Sequence, residues 1–141
     1  MVDPAQYLRA ATQLRHKALE AQPCFARIMQ PEVSRHDYAS LLTLLYRFHA
    51  QAEPTLNDRL RDLPWRDIHR ARVELLASDL KALDLPLPSN TTPHLELKDE
   101  HGALGAVYVI EGSALGGQII ARHLRNTLQH EVSQSLAFTA P

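Results

Sequence analysis

A chain of 141 residues has room for one domain with a real hydrophobic core, since domains commonly run to about 100–150 residues. Its 45% apolar and 22% charged content matches an ordinary globular protein and argues against disorder or a fibrous repeat. Lys and Arg total 15 against 16 Asp and Glu, for a formal charge of -1, so the basic excess of a nucleic-acid binder is missing.

The single cysteine, Cys24, excludes an intramolecular disulfide, and no CxxC or CxxCH offers a zinc site or a covalent c-type heme attachment. The N-terminus lacks an apolar signal core. The longest mostly apolar stretch, around Ala103 to Ile110, falls short of the roughly 18 residues that span a bilayer. A cytoplasmic protein without a membrane partner is expected.

In chain order, the first helix opens at Asp3-Pro4, where Asp caps and Pro takes the first helical position, and runs to about Ala21 before Pro23. Ser34 and Asp37 form a capping-box pattern ahead of Tyr38, Leu41, Leu42, Leu45 and Phe48 at helical spacing. Pro54, Pro64 and the group Pro86, Pro88 and Pro93 bracket two further helices, 55–62 and 65–84. The second of these carries a stripe of Leu75, Leu76, Leu80 and Leu83, and Asp84 to Pro93 reads as a loop. A last helix is expected from His94 to about Leu128. No period-two alternation supports a strand, so the expected fold is all-α, one domain over residues 1–141 with helices packed around one core.

The last helix holds all five glycines, at 102, 105, 112, 116 and 117. Each interior helical glycine costs about 1 kcal/mol relative to alanine, so three cost on the order of 3 kcal/mol. Gly105, Gly112 and Gly116 share one face. Two explanations fit the spacing: a flat, bulky ligand approaching the backbone closely, or a neighbouring helix doing so. Periodicity does not choose between them.

On the first helix, Arg9, His16 and Glu20 also share a face. A neutral imidazole there can bind heme iron, a carboxylate one turn on can accept its other N–H, and a cation near the rim can pair with a propionate. A solvated histidine with an (i, i+4) surface partner has the same pattern.

Two motifs in order carry more weight than either alone. The pattern Leu8-Arg9-x-x-Thr12-x-x-x-His16-x-x-Leu19-Glu20, followed by Tyr108-Val109-Ile110-Glu111-Gly112-Ser113-x-Leu115-Gly116-Gly117, resembles bacterial heme oxygenases, including those paired with bacteriophytochromes. The resemblance implies a heme-oxygenase-like multi-helix bundle with His16 as the iron ligand, Glu20 as its hydrogen-bond partner and Arg9 as a propionate-pairing cation. It implies that Gly112, Ser113 and Gly116 stand on the distal helix at the reacting face, with Gly117 beside the cofactor. Ser113 occupies a position where some members carry an acidic residue that organises water. Members usually continue past the distal helix, so the resemblance also implies that the final helices are missing here.

The activity so implied is cleavage of heme, both substrate and cofactor, by O2 and external electrons to biliverdin, carbon monoxide and ferrous iron. Reductant must come from another protein, such as a ferredoxin or reductase, because no dinucleotide or flavin motif is present. A bacteriophytochrome would accept the biliverdin, and apolar surface left by a short C-terminus would favour a homodimer. One alternative is a di-iron oxidase of the same fold, using the pairs His16/Glu20 and His49/Glu53, although no Glu-x-x-His occurs. The other is a non-catalytic heme- or bilin-binding or interaction module. Trp65 reads as a packing anchor. His36, His69, His94, His101, His123 and His130, with Arg122 and Arg125, are expected on solvated faces.

Overall fold

Helix starts are written locally in this chain, and the first two long helices show it. In the computed structural model, which describes residues 3–89 and 95–139, Asp3 accepts from the Ala5 N–H at 3.0 Å and Pro4 opens α1, Pro4–Glu20. Pro23, expected only to end that helix, opens a short α2, Pro23–Ile28. The capping box forms as expected: Ser34 and Asp37 exchange hydrogen bonds of 2.8 and 3.2 Å at the start of α3, Arg35–Leu60.

Two expectations about helix breaks are corrected. Pro54 lies inside α3 rather than ending it. An interior proline costs about 3 kcal/mol, and the buried residues on both sides, Ala52 before it and Leu56 and Leu60 after it, offset that cost by holding the helix against its neighbours. Conversely, 65–84 is not one helix. A single 3-10 turn, Arg66–Ile68, leads into extended backbone before α4, Val73–Ala82. The N–H groups of Arg70, Arg72 and Val73 are occupied by the carboxylates of Glu111 and Glu53, so long-range partners replace the helical ones.

The end of α4 is sharp because Asp84, at φ 56, takes the left-handed conformation of a Schellman ending. Leu85 N–H reaches Leu80 O at 2.9 Å and Asp84 N–H reaches Lys81 O at 3.0 Å. The loop expected after it is irregular as far as Ser89, and its last residues, with His94, lie outside the described residues. Asp99 then accepts from Gly102 N–H at 2.8 Å and starts α5, Glu100–Leu128, six residues later than expected. Beyond α5, two 3-10 turns bring the chain back over α4, where the buried Asp79 accepts from Ala137 and Phe138 N–H at 2.8 and 2.9 Å. Tyr38 donates its hydroxyl to the Ser135 carbonyl in the same region.

Among the described residues there is no strand, as expected, but the single core divides into two apolar clusters. One joins Ile28, Tyr38, Leu41, Leu42, Leu76, Leu80 and Leu124 with the C-terminal turns. The other joins Ala52, Leu56 and Leu60 of α3 to Ala103, Val107 and Ile110 of α5, with Trp65 packed against it as an anchor. α3 and α5 run through both. Phe48 and Leu75, expected in the core, are 44% and 37% exposed, because each stands at the edge of its helix's apolar stripe while Leu41, Leu42, Leu76 and Leu80 take the centre.

α5 is more apolar overall than its short hydrophobic runs suggested. An 18-residue window reaches a mean hydropathy of 1.3, long and apolar enough by length and composition to cross a membrane. Only a minority of that window is buried, so much of its apolar surface lies on the outside of the fold.

Candidate functional site

The exposed side of α5 is built around its glycines. At 3.6 residues per turn, Gly105, Gly112 and Gly116 fall within about 40° of one another, forming a seam along the helix. Tyr108, Val109, Leu115 and Ile119 flank it and are exposed. A Cβ added at Gly105, Gly112 or Gly116 would meet nothing within 4 Å among the described residues. Among the described residues no neighbouring helix packs on these three glycines, and the seam offers bare backbone to a flat group. Gly117 differs: its missing Cβ would touch the Thr139 methyl at 3.8 Å, which turns it toward the C-terminal turn. Ser113 is exposed and donates its hydroxyl to the Ile110 carbonyl at 2.6 Å, leaving its oxygen lone pairs free to accept.

α1 presents the other set of candidate residues. None of its described residues is buried, and α2 is its principal neighbour. His16 is 69% exposed, with Nδ1 3.5 Å from Glu20 Oε1; Arg9 is exposed as well. The two helices' candidates are thus arranged separately: His16 and Glu20 stand together on α1, Gly112, Ser113 and Gly116 stand together on α5, and α5 is not among the principal neighbours of α1. In donor chemistry the residues suit a heme. An imidazole with its Nδ1 side beside a carboxylate leaves Nε2 available for iron, and a glycine seam edged by apolar side chains suits a flat macrocycle.

A second constellation was not anticipated. Between the two apolar clusters lies a polar layer containing His49, Glu53, His69, Arg72 and Glu111. Arg72 forks onto Glu111 with Nη1–Oε1 and Nη2–Oε2 distances of 3.0 and 2.9 Å, and its own backbone N–H donates to Glu53 Oε1 at 2.6 Å. His49 Nδ1 lies 3.1 Å from the same Glu53 oxygen. Burial works to raise the Glu111 pKa, but Arg72, the Arg70 N–H and His69 outweigh it and hold the carboxyl down to about 2. Glu53 is likewise lowered, burial being overcome by His49 and the Arg72 and Val73 N–H groups.

His69 corrects the expectation of a solvated histidine. Its side chain is 2% exposed because its ring is drawn inward to Glu111, 3.0 Å from Nδ1. A carboxylate can only accept, so Nδ1 carries the proton, and Nε2 finds no partner among the described residues. The signal available in the sequence was Glu111 itself, a charged residue inside an otherwise apolar run. His36, His101 and His130 are exposed as expected, with Arg122 and Arg125, whereas His123 is half-buried, with Nε2 3.0 Å from the Gln30 carbonyl. The pair His49/Glu53 is engaged by the Arg72 and Val73 backbone, and among the described residues no three metal-ligating side chains cluster. A di-iron centre therefore finds no support in this arrangement.

Comparison with known proteins adds an independent line. The pattern that defines the family described as heme oxygenase matches residues 3–141. A protein named heme oxygenase from Xanthomonas campestris pv. campestris (strain 8004) is 37% identical over 99 residues, covering 68% of this chain and 58% of that relative. The chain thus spans less than two thirds of the relative it matches. No solved structure matches it. With both motifs in place, an all-helical fold and a family match over nearly its whole length, the chain belongs to the heme oxygenase family.

Proposed function

We propose that residues 1–141 act as one heme oxygenase domain, cleaving heme with O2 and external electrons to biliverdin, carbon monoxide and ferrous iron. The observation that carries this reading is the open glycine seam of α5 with its apolar flanks; membership of the family supports a macrocycle as the flat group it receives. His16 supplies Nε2 to the iron. Glu20, with Oε1 3.5 Å from Nδ1, is placed to hold the ring in the tautomer that leaves Nε2 bare, and Arg9 pairs with a propionate. Gly112 and Gly116 take the distal face, Ser113 accepts from a water there, and Gly117 closes the edge of the seam beside Thr139.

When bound, the heme iron supplies the dioxygen chemistry. The chain seats the macrocycle, orients the imidazole and shields the reacting face with Tyr108, Leu115 and Ile119. Electrons come from a separate ferredoxin or reductase, and a bacteriophytochrome accepts the bilin. The proposed setting is cytoplasmic, with two copies associating through the exposed apolar faces.

Titration with heme, followed by ascorbate or a ferredoxin with its reductase, tests the reading: a Soret band of imidazole-ligated heme and then bilin absorbance are expected. His16→Ala should lose that Soret signature while changing stability by less than about 0.5 kcal/mol, since the side chain touches no core. An unchanged heme spectrum in that variant removes His16 as the ligand. Heme that binds but is never opened would favour the binding-module alternative.

A further inference from the structure

Among the described residues, the buried apolar side chains of α5 lie toward its two ends. Ala103, Val107 and Ile110 anchor one end and Ala121, Leu124 and Leu128 the other, while no described residue from Glu111 to Ile120 is buried. That gap covers about 15 Å of helix and contains Gly112, Gly116 and Gly117, which weaken it further. The part of α5 with the least inherent stiffness is therefore the part that presents the seam.

Glu111 fastens its start. It lies next to Gly112, and its two oxygens accept from Arg72 Nη1 and Nη2, His69 Nδ1 and the Arg70 N–H, all at 2.9–3.0 Å. The fork fixes direction as well as distance. Arg72 is itself tied down: its backbone N–H is on Glu53 of α3, and Nη1 also donates to the Arg70 carbonyl at 3.0 Å. The buried His69 leaves Nε2 unpartnered among the described residues, a cost accepted with the ring committed to Glu111 on its other side.

We propose that Arg72 and Glu111 are positioning residues for the glycine seam: anchored on α3 through Glu53, the pair fixes where Gly112 and Gly116 stand when a flat macrocycle lies against them. The inference rests on the reading of the seam as heme-facing. Neither side chain needs to touch the macrocycle. Their effect passes through the helix.

The test uses the 141-residue chain, with heme and iron-free protoporphyrin as probes. In Glu111→Gln and Arg72→Lys, amide hydrogen exchange across residues 112–117 of the unliganded protein should quicken about tenfold more than exchange in α4, whose amides report the overall loss of stability. The Kd for both probes should weaken about tenfold, and Glu111→Asp, which keeps the charge, should recover part of the loss. Exchange at 112–117 that quickens no more than in α4 in both variants overturns the proposal whether or not heme binds. Quickened exchange with unaltered probe affinity overturns the link to the macrocycle. Loss of helical circular dichroism in both variants makes the pair determinants of the fold and overturns the positioning role. If exchange quickens as expected but the parent chain binds neither probe, the clamp stands and the heme reading of the seam falls.

Discussion

The two helices that carry the candidate chemistry are held in opposite ways. α1 draws its helical form from local terms, the Asp3 cap, Pro4 and a run of good helix formers, and leaves Tyr7, Leu14 and Leu19 exposed, Leu14 at 81%. An isolated helix of this length is marginal in water. α5 is bound by tertiary contacts at both ends and by an ionic fork at Glu111, just before Gly112. A helix can thus be legible in sequence for two unlike reasons, and only in the second does a substitution register in the stability of the whole fold.

The largest expected effect sharpens this contrast. Leu124→Ala, at a fully buried position of α5, should cost about 2–5 kcal/mol, whereas Leu14→Ala on α1 should stay within about 0.5 kcal/mol; urea denaturation of both variants checks it. Equal losses would mean that α1 is packed far more firmly than its exposure indicates.

A smaller effect concerns the fork. Glu111→Gln should cost about 2 kcal/mol at neutral pH, read from denaturation midpoints across a pH series. The folded pKa of Glu111 is depressed from 4.5 to about 2, so its contribution is fully present above about pH 4.5 and disappears as pH falls toward about 2. The gap between parent and variant should close over that window. Asp79 runs the other way: burial raises its pKa above 3.8 despite the Ala137 and Phe138 N–H groups. Its contribution is therefore greatest below that value and is lost as pH rises through the raised one. Acid titration of Asp79→Asn beside Glu111→Gln separates the two slopes by sign.

The smallest effect has the opposite direction. Gly116→Ala places a methyl group where the structure leaves open space and should raise stability by up to about 1 kcal/mol, measured as a higher thermal midpoint. Gly116→Leu should likewise fold, yet lower bilin formation. Collapse of either variant would restore helix packing as the reason for the glycine and weaken the comparison between the seam and the buried ends.

Much of this architecture was legible because its signals are local. Asp3-Pro4, the Ser34/Asp37 box and the absence of alternation gave the helical class and two helix starts, and the two motifs gave the family. The polar layer was not legible. Glu53 and Arg72 lie 19 positions apart and His69 and Glu111 lie 42 apart, so nothing in the spacing distinguishes them from residues on a solvated face. The same partners drew residues 69–72 out of the helix that local periodicity suggested. Pro54 misled for a related reason: the packing that tolerates it comes from residues far along the chain. For the candidate site, composition marked the glycines and the motif marked His16, but the separation of α1 from α5 depends on tertiary packing that neither motif encodes.

The way the chain returns over α4 also bears on how the protein is made. The first apolar cluster draws on residues from Ile28 to Leu136, and Asp79 waits for N–H groups 58 and 59 positions further on. A nascent polypeptide emerging from its N-terminus can coil α3 early, yet this cluster has no complete set of walls until Leu136 has left the ribosome. Until then Tyr38, Leu76 and Leu80 remain available to chaperones and to other unfinished chains. Its assembly therefore waits for the returning segment rather than following the order of synthesis.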